Sequence, residues 1–244
     1  MAARFTGFSP KAISFFRQLE KNNSRDWFTP RKELFEELVR QPMLQLVTLV
    51  SDQMRGFALD HVVDPGKALF RIYRDTRFSK DKSPYKTQIA ANFPRRGLPK
   101  YAAAGFYFSV SHAGVEVAGG MYMPGPQQLS AVRGAIADAH ETFRKVVTAR
   151  PLRTRLGELQ GEKLARVPRG FAPDHPAAEF LRMKQFYFYK ALPPKSATVP
   201  GLERQICASF RTLVPFVEFI NGAILQKLRE DEGETIPKRP EPMF

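Results

Sequence analysis

The spacing of apolar residues changes twice along the chain, and this constrains the fold more than any other feature of the sequence. Up to Gly56 the apolar residues recur every three or four positions, which is typical of amphipathic helices. From about Leu69 they alternate with polar or small residues, as in half-buried strands. After Pro126 the helical spacing returns. Helices grouped on both sides of a central run of strands predict an α+β fold.

The first third of the chain carries clear helix-start signals. Ser9 followed by Pro10 is a good cap with proline in the first turn. Pro30 and Pro42 are likewise tolerable in first turns, and apolar residues at helical spacing follow each of them. The sequence therefore predicts three or four helices before Gly56.

Alternation in the middle of the chain predicts an antiparallel sheet of four or more strands with one buried face. The alternating stretches are 89–93, 104–110, 115–117 and the aromatic run 185–192. Residues 111–114 are short enough to form a hairpin loop between two of these strands.

Two later helices complete the predicted fold. An apolar stripe from Leu129 to Val147 predicts one helix that covers the sheet and ends before Pro151. A C-terminal helix is predicted from about Leu202 to about Arg229, broken or restarted at Pro215.

Length and composition agree with one folded domain. The chain has 244 residues, of which 43% are hydrophobic and 25% charged, and these are proportions of a globular protein. We expect a single domain over residues 1–229. Residues 230–244 are charged and contain prolines but few apolar side chains, so they are predicted to form a mobile charged tail.

The single cysteine, Cys207, excludes a disulfide within the chain and metal sites built from several cysteines. The first ten residues contain no apolar segment typical of a signal peptide, and charges such as Arg211 and Glu218 interrupt the long apolar stretch near the C-terminus. We therefore expect a cytoplasmic protein that does not associate with a membrane.

Positive charge is concentrated in one part of the chain. The formal net charge is +14, and residues 66–100 contain ten Lys or Arg but only two Asp. Such a concentration attracts phosphate, carboxylate or nucleic acid. The alternative interpretation is a solvated basic face that only aids solubility.

Within this region, residues 71–86 interleave cations with aromatic side chains, which a solubilising face does not need. The cations that we expect to bind an anion are Arg71, Arg74, Arg77, Lys80, Lys82 and Lys86. A strand would separate the arginines too widely to hold one phosphate, so either the ligand is extended or the chain turns at residues 79–84. We favour the turn, which predicts a folded anion pocket. Tyr73 and Tyr85 would stack on the ligand or donate hydrogen bonds, and Arg169 would join from a later loop.

Two acidic residues lie among these cations. Asp75 and Asp81 are expected to orient the arginines and lysines as ion-pair partners, since a carboxylate among cations has a lowered pKa and is a poor proton donor. A role as general base or metal ligand would need a second acidic or histidine partner, which the sequence does not locate.

The remaining candidates favour structural roles. The histidines, at positions 61, 112, 140 and 175, have no spacing typical of a metal site, and no metal site is predicted. His140 is expected to pack in the core or an interface, His175 to cap a helix, His112 to be exposed and His61 to lie in a loop. Cys207 is expected to be a buried apolar residue. The motifs of P-loop, Rossmann and serine-hydrolase proteins are missing from the sequence, which therefore defines neither a reaction nor a cofactor.

Several segments together resemble a family of bacterial and fungal proteins catalogued as domain of unknown function 2461. The resemblance rests on Phe8, residues 22–28, residues 71–87, Gly119-Gly120 with Tyr122, residues 168–171, and His175-Pro176. It spans about residues 5–228, and it implies a single α+β domain without implying a reaction.

Three functions remain open from the sequence. The first is a protein that binds, or acts on, a phosphorylated or nucleotide-like ligand. The second is a nucleic-acid binding module without catalysis. The third is a scaffold whose basic face docks an acidic partner. The oligomeric state is not defined by any feature of the sequence.

Overall fold

The computed structural model describes residues 5–98 and 103–233, and it confirms the α+β fold. The strands are β1 Gln88–Phe93, β2 Gly105–Ser111, β3 Val115–Met121 and β4 Phe186–Leu192. The helices are α1 Pro10–Lys21, α2 Arg25–Phe28, α3 Lys32–Phe35, α4 Gln41–Met54, α5 Pro65–Ala68, α6 Pro126–Asp138, α7 His140–Val147, α8 Arg150–Leu156, α9 Ala178–Leu181 and α10 Leu202–Asp231.

The N-terminal helices begin where the sequence predicts. The hydroxyl of Ser9 accepts a hydrogen bond from the Ala12 N–H and caps α1. Ser24 caps α2 in the same way through the Trp27 N–H. From α2 to the end of α4 the chain stays helical, with one 3₁₀ turn and one π-helical turn between the α-helical segments.

The four strands form one antiparallel sheet in the order β1-β2-β3-β4. The hairpin loop between β2 and β3 is confirmed, because Val110 pairs with Val115. Side chains of Phe106, Phe108 and Phe188 are buried on the inner face of the sheet. The outer face carries the side chains that alternate with these along each strand.

Helix α10 packs against the inner face, with Phe210, Leu213 and Phe216 fully buried. The predicted break at Pro215 was wrong, because α10 runs through this residue. Proline removes one backbone hydrogen bond, but the buried side chains before and after it hold both halves against the sheet. Of the described helices, α10 alone is long and apolar enough to cross a membrane, and half of its most apolar stretch is buried inside the protein.

The predicted covering helix is also different in the structure. The chain leaves helical geometry at Ala139, which has φ −126° and ψ 44°, so the stripe is divided between α6 and α7. Val132 on α6 and Phe143 on α7 still bury their side chains in the core. The helical spacing of apolar residues therefore continues across a break that it does not reveal.

The basic segment is not a regular strand, although its residues favour one. Single bridges join Leu69 to Ala91 at the edge of β1 and Tyr73 to Tyr85 farther along. Pro84 has no N–H to donate, so the pairing of these two arms stops after a few residues. On the opposite edge, Gln160 forms a bridge to Tyr187 of β4.

The buried apolar residues form one core cluster that extends from Phe5 to Ile224. At the C-terminus α10 continues to Asp231. Most of the predicted mobile tail, residues 234–244, lies outside the described residues.

Candidate ligand-binding site

Asn23 joins the basic segment to the N-terminal helices. Asn23 donates from Nδ2 to the Tyr85 carbonyl at 2.9 Å, and its Oδ1 accepts the Tyr85 N–H at 3.0 Å. The ring of Tyr85 stacks on Phe28 with centroids 4.1 Å apart. Two segments that are far apart in the sequence, residues 22–28 and 71–87, are thus parts of one structural unit.

The chain turns back within the basic segment, as the sequence predicts. The Arg74 N–H donates to the Pro84 carbonyl at 2.9 Å, and the Lys86 N–H donates to the Ile72 carbonyl at 2.8 Å. We call residues 70–88 the basic ribbon. Its two arms are joined by these bonds, and residues 75–83 form the loop between them.

Two arginines of the basic ribbon are bound to carboxylates. Arg77 makes a two-point contact with Asp75, at 3.0 and 2.8 Å. Asp81 contacts the guanidinium of Arg74 and accepts from the hydroxyl and N–H of Ser83. The hydrogen bonds from Arg77 lower the pKa of Asp75 to about 2, and those from Ser83 and Arg74 lower the pKa of Asp81 as well. Both carboxylates therefore reduce the positive charge that a ligand would meet in the loop.

The other predicted cations are distributed along the basic ribbon. Lys82 donates to the Thr76 carbonyl and Lys86 to the Arg71 carbonyl, each at 2.9 Å. The side chains of Arg71 and Lys80 are exposed, and neither forms an ion pair with a residue that the structure describes.

Arg169 is placed apart from these cations. It lies in the turn that the Phe171 N–H closes on the Pro168 carbonyl. No hydrogen bond or ion pair between described residues joins its side chain to the basic ribbon.

The aromatic residues of the basic ribbon differ in exposure. Tyr85 is buried against Phe28 and so cannot stack on a ligand. Tyr73 is 47% exposed and Phe78 is 94% exposed at the loop. Of the two tyrosines predicted to stack, only Tyr73 is open to solvent.

A hollow of about 400 Å³ lies beside the basic ribbon. It is lined by Glu20, Asn23, Arg74, Asp81, Ser83, Tyr85, Lys86, Thr87 and Gln88. Two carboxylates face two cations there, so this hollow is polar but close to neutral in charge.

A larger cavity, of about 570 Å³, lies on the outer face of the sheet, and the sequence reasoning missed it. Small residues of the strands and neighbouring loops form part of it: Ala103, Gly105, Ala118, Gly119 and Gly120. Aromatic rings form much of the rest: Phe70, Tyr107, Tyr122, Tyr187 and Tyr189. Asn92, Glu116 and Gln160 add polar groups, and Pro94 and Met123 complete the lining. We call this the sheet cavity, and its size and mixture of apolar walls with few polar groups are typical of small-molecule sites.

Glu116 is the acidic residue of the sheet cavity, and its carboxylate is fixed by two hydroxyl groups. Ser109 Oγ donates to Oε2 at 2.9 Å, and the Tyr189 hydroxyl donates to Oε1 at 2.9 Å. Burial and the bond to Glu116 raise the pKa of Tyr189 to about 12. Burial likewise raises the pKa of Tyr107. Both phenols therefore stay protonated and remain hydrogen-bond donors at neutral pH.

The basic ribbon and the sheet cavity are in direct contact. Lys86 Nζ lies 5.1 Å from the centre of the Phe70 ring, which forms part of the cavity wall. Gln88, which lines the polar hollow, donates to the Tyr107 hydroxyl of the cavity at 3.2 Å. A ligand that fills the sheet cavity would thus lie close to Lys86 of the basic ribbon.

The residues that alternate with the core residues along the strands could have revealed this cavity. On β3 and β4 the residues not used for the core are Glu116, Ala118, Gly120, Tyr187 and Tyr189. Small residues beside tyrosines leave a concave surface, whereas a solvated face would carry long polar side chains. The predicted sheet with one buried face rested on the buried residues of the alternation and left the other face unassigned.

The histidines and the cysteine lie as follows. His61, expected to lie in a loop with no visible partner, is buried and contacts the Phe93 carbonyl at 3.0 Å. His112, expected to be exposed, is partly covered and lies 3.4 Å from Glu20. His175 accepts from the Ala177 N–H at 3.0 Å, close to the start of α9. Burial raises the pKa of the Cys207 thiol to about 12, so this side chain is not a nucleophile.

The fold defines an α+β protein with helices on one face of an antiparallel sheet and an aromatic cavity on the other. A family model described as a conserved hypothetical protein (DUF2461) matches residues 11–219. The chain therefore belongs to this family, as its sequence motifs indicated. No curated protein and no solved structure matches it.

Proposed function

We propose that the protein binds a small nucleotide-like ligand, with its planar part in the sheet cavity and its anionic group at the basic ribbon. The observation that carries this proposal is the contact between Lys86 and Phe70, because it joins a cation of the basic ribbon to the aromatic wall of the cavity. The planar part gains stacking and apolar burial, and the anionic group gains charge-assisted hydrogen bonds.

The charges of the two regions support this orientation of the ligand. Glu116 would repel a phosphate placed inside the sheet cavity, whereas Lys86 attracts one at its edge, where the exposed Arg71 follows Phe70 in the chain. The loop itself contributes less, since Asp75 and Asp81 bind two of its arginines. This proposal includes no chemical step, so binding measurements alone test it.

A nucleic-acid interface is the second candidate, and one observation favours it. Phe78 is 94% exposed and lies between Arg77 and Lys80. Exposed aromatic rings among cations bind single-stranded nucleic acids by stacking while the cations contact phosphates. In this case the loop would carry the affinity and the sheet cavity would have no part in it.

Calorimetric titration with nucleosides, nucleoside monophosphates and inorganic phosphate tests the first proposal. We expect nucleoside monophosphates to bind more tightly than nucleosides and more tightly than inorganic phosphate. Tyr122→Ala should weaken nucleosides and monophosphates alike by roughly tenfold, since a stacked aromatic ring contributes about 1–3 kcal/mol. Arg71→Glu should weaken only the monophosphates. Both positions are exposed, so folding should be retained.

Lys11→Glu is the matched control, because Lys11 is exposed in the first turn of α1 and its replacement makes the same change in charge. We expect it to alter each affinity by less than twofold. Absence of binding by every monophosphate would overturn the proposal. Tight binding of an oligonucleotide that depends on Phe78 but not on Tyr122 would favour the second candidate instead.

A further inference from the structure

We infer that the sheet cavity selects a base of guanine type and that Glu116 makes this selection. This inference rests on the proposed function and adds the ligand class. The carboxylate lines the cavity and already holds one hydroxyl on each oxygen. An ionised carboxylate has about four acceptor positions, so each oxygen can accept one more hydrogen bond.

Two adjacent acceptors require two adjacent donors on the ligand. Guanine presents a ring N–H beside an exocyclic amino group on its pairing edge. Adenine and cytosine place a ring nitrogen acceptor next to their amino group, and uracil places carbonyl oxygens on both sides of its N–H. Each of these three would set an acceptor against a Glu116 oxygen, and like partial charges repel.

The surroundings of Glu116 give the carboxylate a fixed geometry. Ser109 pairs with Glu116 across β2 and β3, and Tyr189 lies on the neighbouring strand β4. Hydroxyls on both flanking strands therefore hold the side chain before any ligand arrives. A preorganised acceptor pair discriminates more strongly than a mobile one, because the wrong ligand cannot move it aside.

The other polar groups of the sheet cavity suit the same base. Asn92 and Gln160 line the cavity, and their side-chain amides form no hydrogen bond with the residues that the structure describes. An amide both donates and accepts, so its chemistry suits the carbonyl oxygen and ring nitrogen on the other edge of guanine. The tyrosine rings, among them Tyr122 and Tyr187 with centroids 5.3 Å apart, supply faces or edges for stacking.

An organic cation is the other ligand that a carboxylate among aromatic rings attracts. Two observations favour the base. The cavity, at about 570 Å³, accommodates a drug-sized ligand, and a quaternary ammonium group would leave the amides of Asn92 and Gln160 without partners. Lys86 next to Phe70 also places a positive charge at the edge of the cavity, which disfavours a cation.

The experiment compares monophosphates of guanosine, inosine and adenosine on the unmodified protein by calorimetric titration. Inosine lacks only the exocyclic amino group, so this comparison needs no variant. We expect the guanosine nucleotide to bind about tenfold more tightly than the inosine nucleotide, as for the loss of one hydrogen bond to a charged group. The adenosine nucleotide should bind more weakly still.

Glu116→Gln should remove most of the preference for guanosine over inosine, while Glu141→Gln, at an exposed position on α7, should preserve it. Nucleotides that bind with equal affinities would overturn this inference and leave the proposed function standing. Absence of binding by all nucleotides would overturn both, and so would binding of tetramethylammonium alone.

Discussion

Asn23 connects the N-terminal helices to the basic ribbon through two hydrogen bonds to one backbone position. Its amide donates to the Tyr85 carbonyl and accepts from the Tyr85 N–H, as a neighbouring strand would. The Tyr85 ring is buried against Phe28 at the same place. One short side chain thus replaces a strand at the point where the basic ribbon leaves the core.

Replacement of Asn23 by alanine should lower the free energy of unfolding by roughly 1–3 kcal/mol, since it leaves two backbone groups of a buried residue without partners. Asn22→Ala is the matched control. Asn22 donates from an exposed position to the Gln18 carbonyl, and its loss should cost less than about 1 kcal/mol. Urea unfolding of both variants measures the difference, and equal losses would contradict the role assigned to Asn23.

This residue also shows the limit of local sequence reasoning. A pair of asparagines after an apolar stripe most simply ends a helix, and Asn22 does occupy the C-cap of α1. The partner of Asn23 is 62 positions away, and nothing in a local pattern reveals it. His61 was misjudged for the same reason, because its contacts come from β1 and α10.

His61 should make the stability of the protein depend on pH. Its Nδ1 lies 3.0 Å from the Phe93 carbonyl and its Nε2 lies 3.4 Å from the Asn221 amide. A carbonyl only accepts and this amide nitrogen only donates, so the ring must be neutral with its hydrogen on Nδ1. Burial lowers the pKa of His61 below 6.5.

The unfolded chain therefore binds the proton first, and stability should fall as pH decreases from about 6.5 towards the lower pKa of the folded state. Urea unfolding at pH 7.5 and 5.5 measures this loss. His61→Gln should remove it, whereas His140→Gln, which leaves the His61 contacts intact, should retain it. The same pH dependence in both variants would show that another group is responsible.

At the scale of the elements, β3 combines close packing on one face with the sheet cavity on the other. A side chain at Gly119 would meet Leu213 of α10 at 2.7 Å. Gly120 has φ +131°, and a Cβ there would lie 2.2 Å from the Phe186 carbonyl of β4. The two glycines allow α10 and β4 to approach the strand closely, and both line the sheet cavity.

Gly120→Ala should destabilise the protein by roughly 2–4 kcal/mol, because the backbone is strained for any residue with a Cβ and the neighbouring strand must move. Gly134→Ala is the control. Gly134 lies in the interior of α6 with nothing within 4 Å of the added methyl, so this change should stabilise by up to about 1 kcal/mol. Thermal unfolding should shift in opposite directions for the two variants.

The elements themselves were largely predictable, and their interruptions were not. Alternation located the strands from β1 to β4, and serine caps located α1 and α2, because these signals are local. Pro215 does not end α10, since buried neighbours hold the helix on both sides of it. The outer face of the sheet carries the candidate cavity, and its composition of tyrosine and small residues was readable from the same alternation.

At the scale of the whole molecule, the positive charge of the basic ribbon lies beside the sheet cavity and not inside it. The excess of ten Lys or Arg over two Asp in residues 66–100 was evident from the sequence. The positions at which this charge is compensated were not evident from the sequence. Asp75 and Asp81 contact their arginines only because the chain turns. Four cations of the basic ribbon remain to contact phosphates: Arg71 and Lys80, which form no ion pair with a described residue, and Lys82 and Lys86, which donate to backbone carbonyls.

Salt dependence separates the two candidate functions at this scale. A nucleotide held by its planar part in the sheet cavity contributes few ionic contacts, so log affinity should fall only weakly with log salt concentration. A single strand that contacts four cations of the basic ribbon would release counterions at each of them, with a slope of about −3 if each contact contributes about −0.7. Titrations with a nucleoside monophosphate and with a short single-stranded oligonucleotide between 50 and 200 mM salt, roughly the range over which such slopes are measured, distinguish the two. The result expected of the cavity is a shallow slope for the monophosphate that Tyr122→Ala leaves unchanged, together with weaker binding in that variant. A steep slope for the oligonucleotide, made shallower by about 0.7 in Arg71→Glu, would assign the affinity to the basic ribbon.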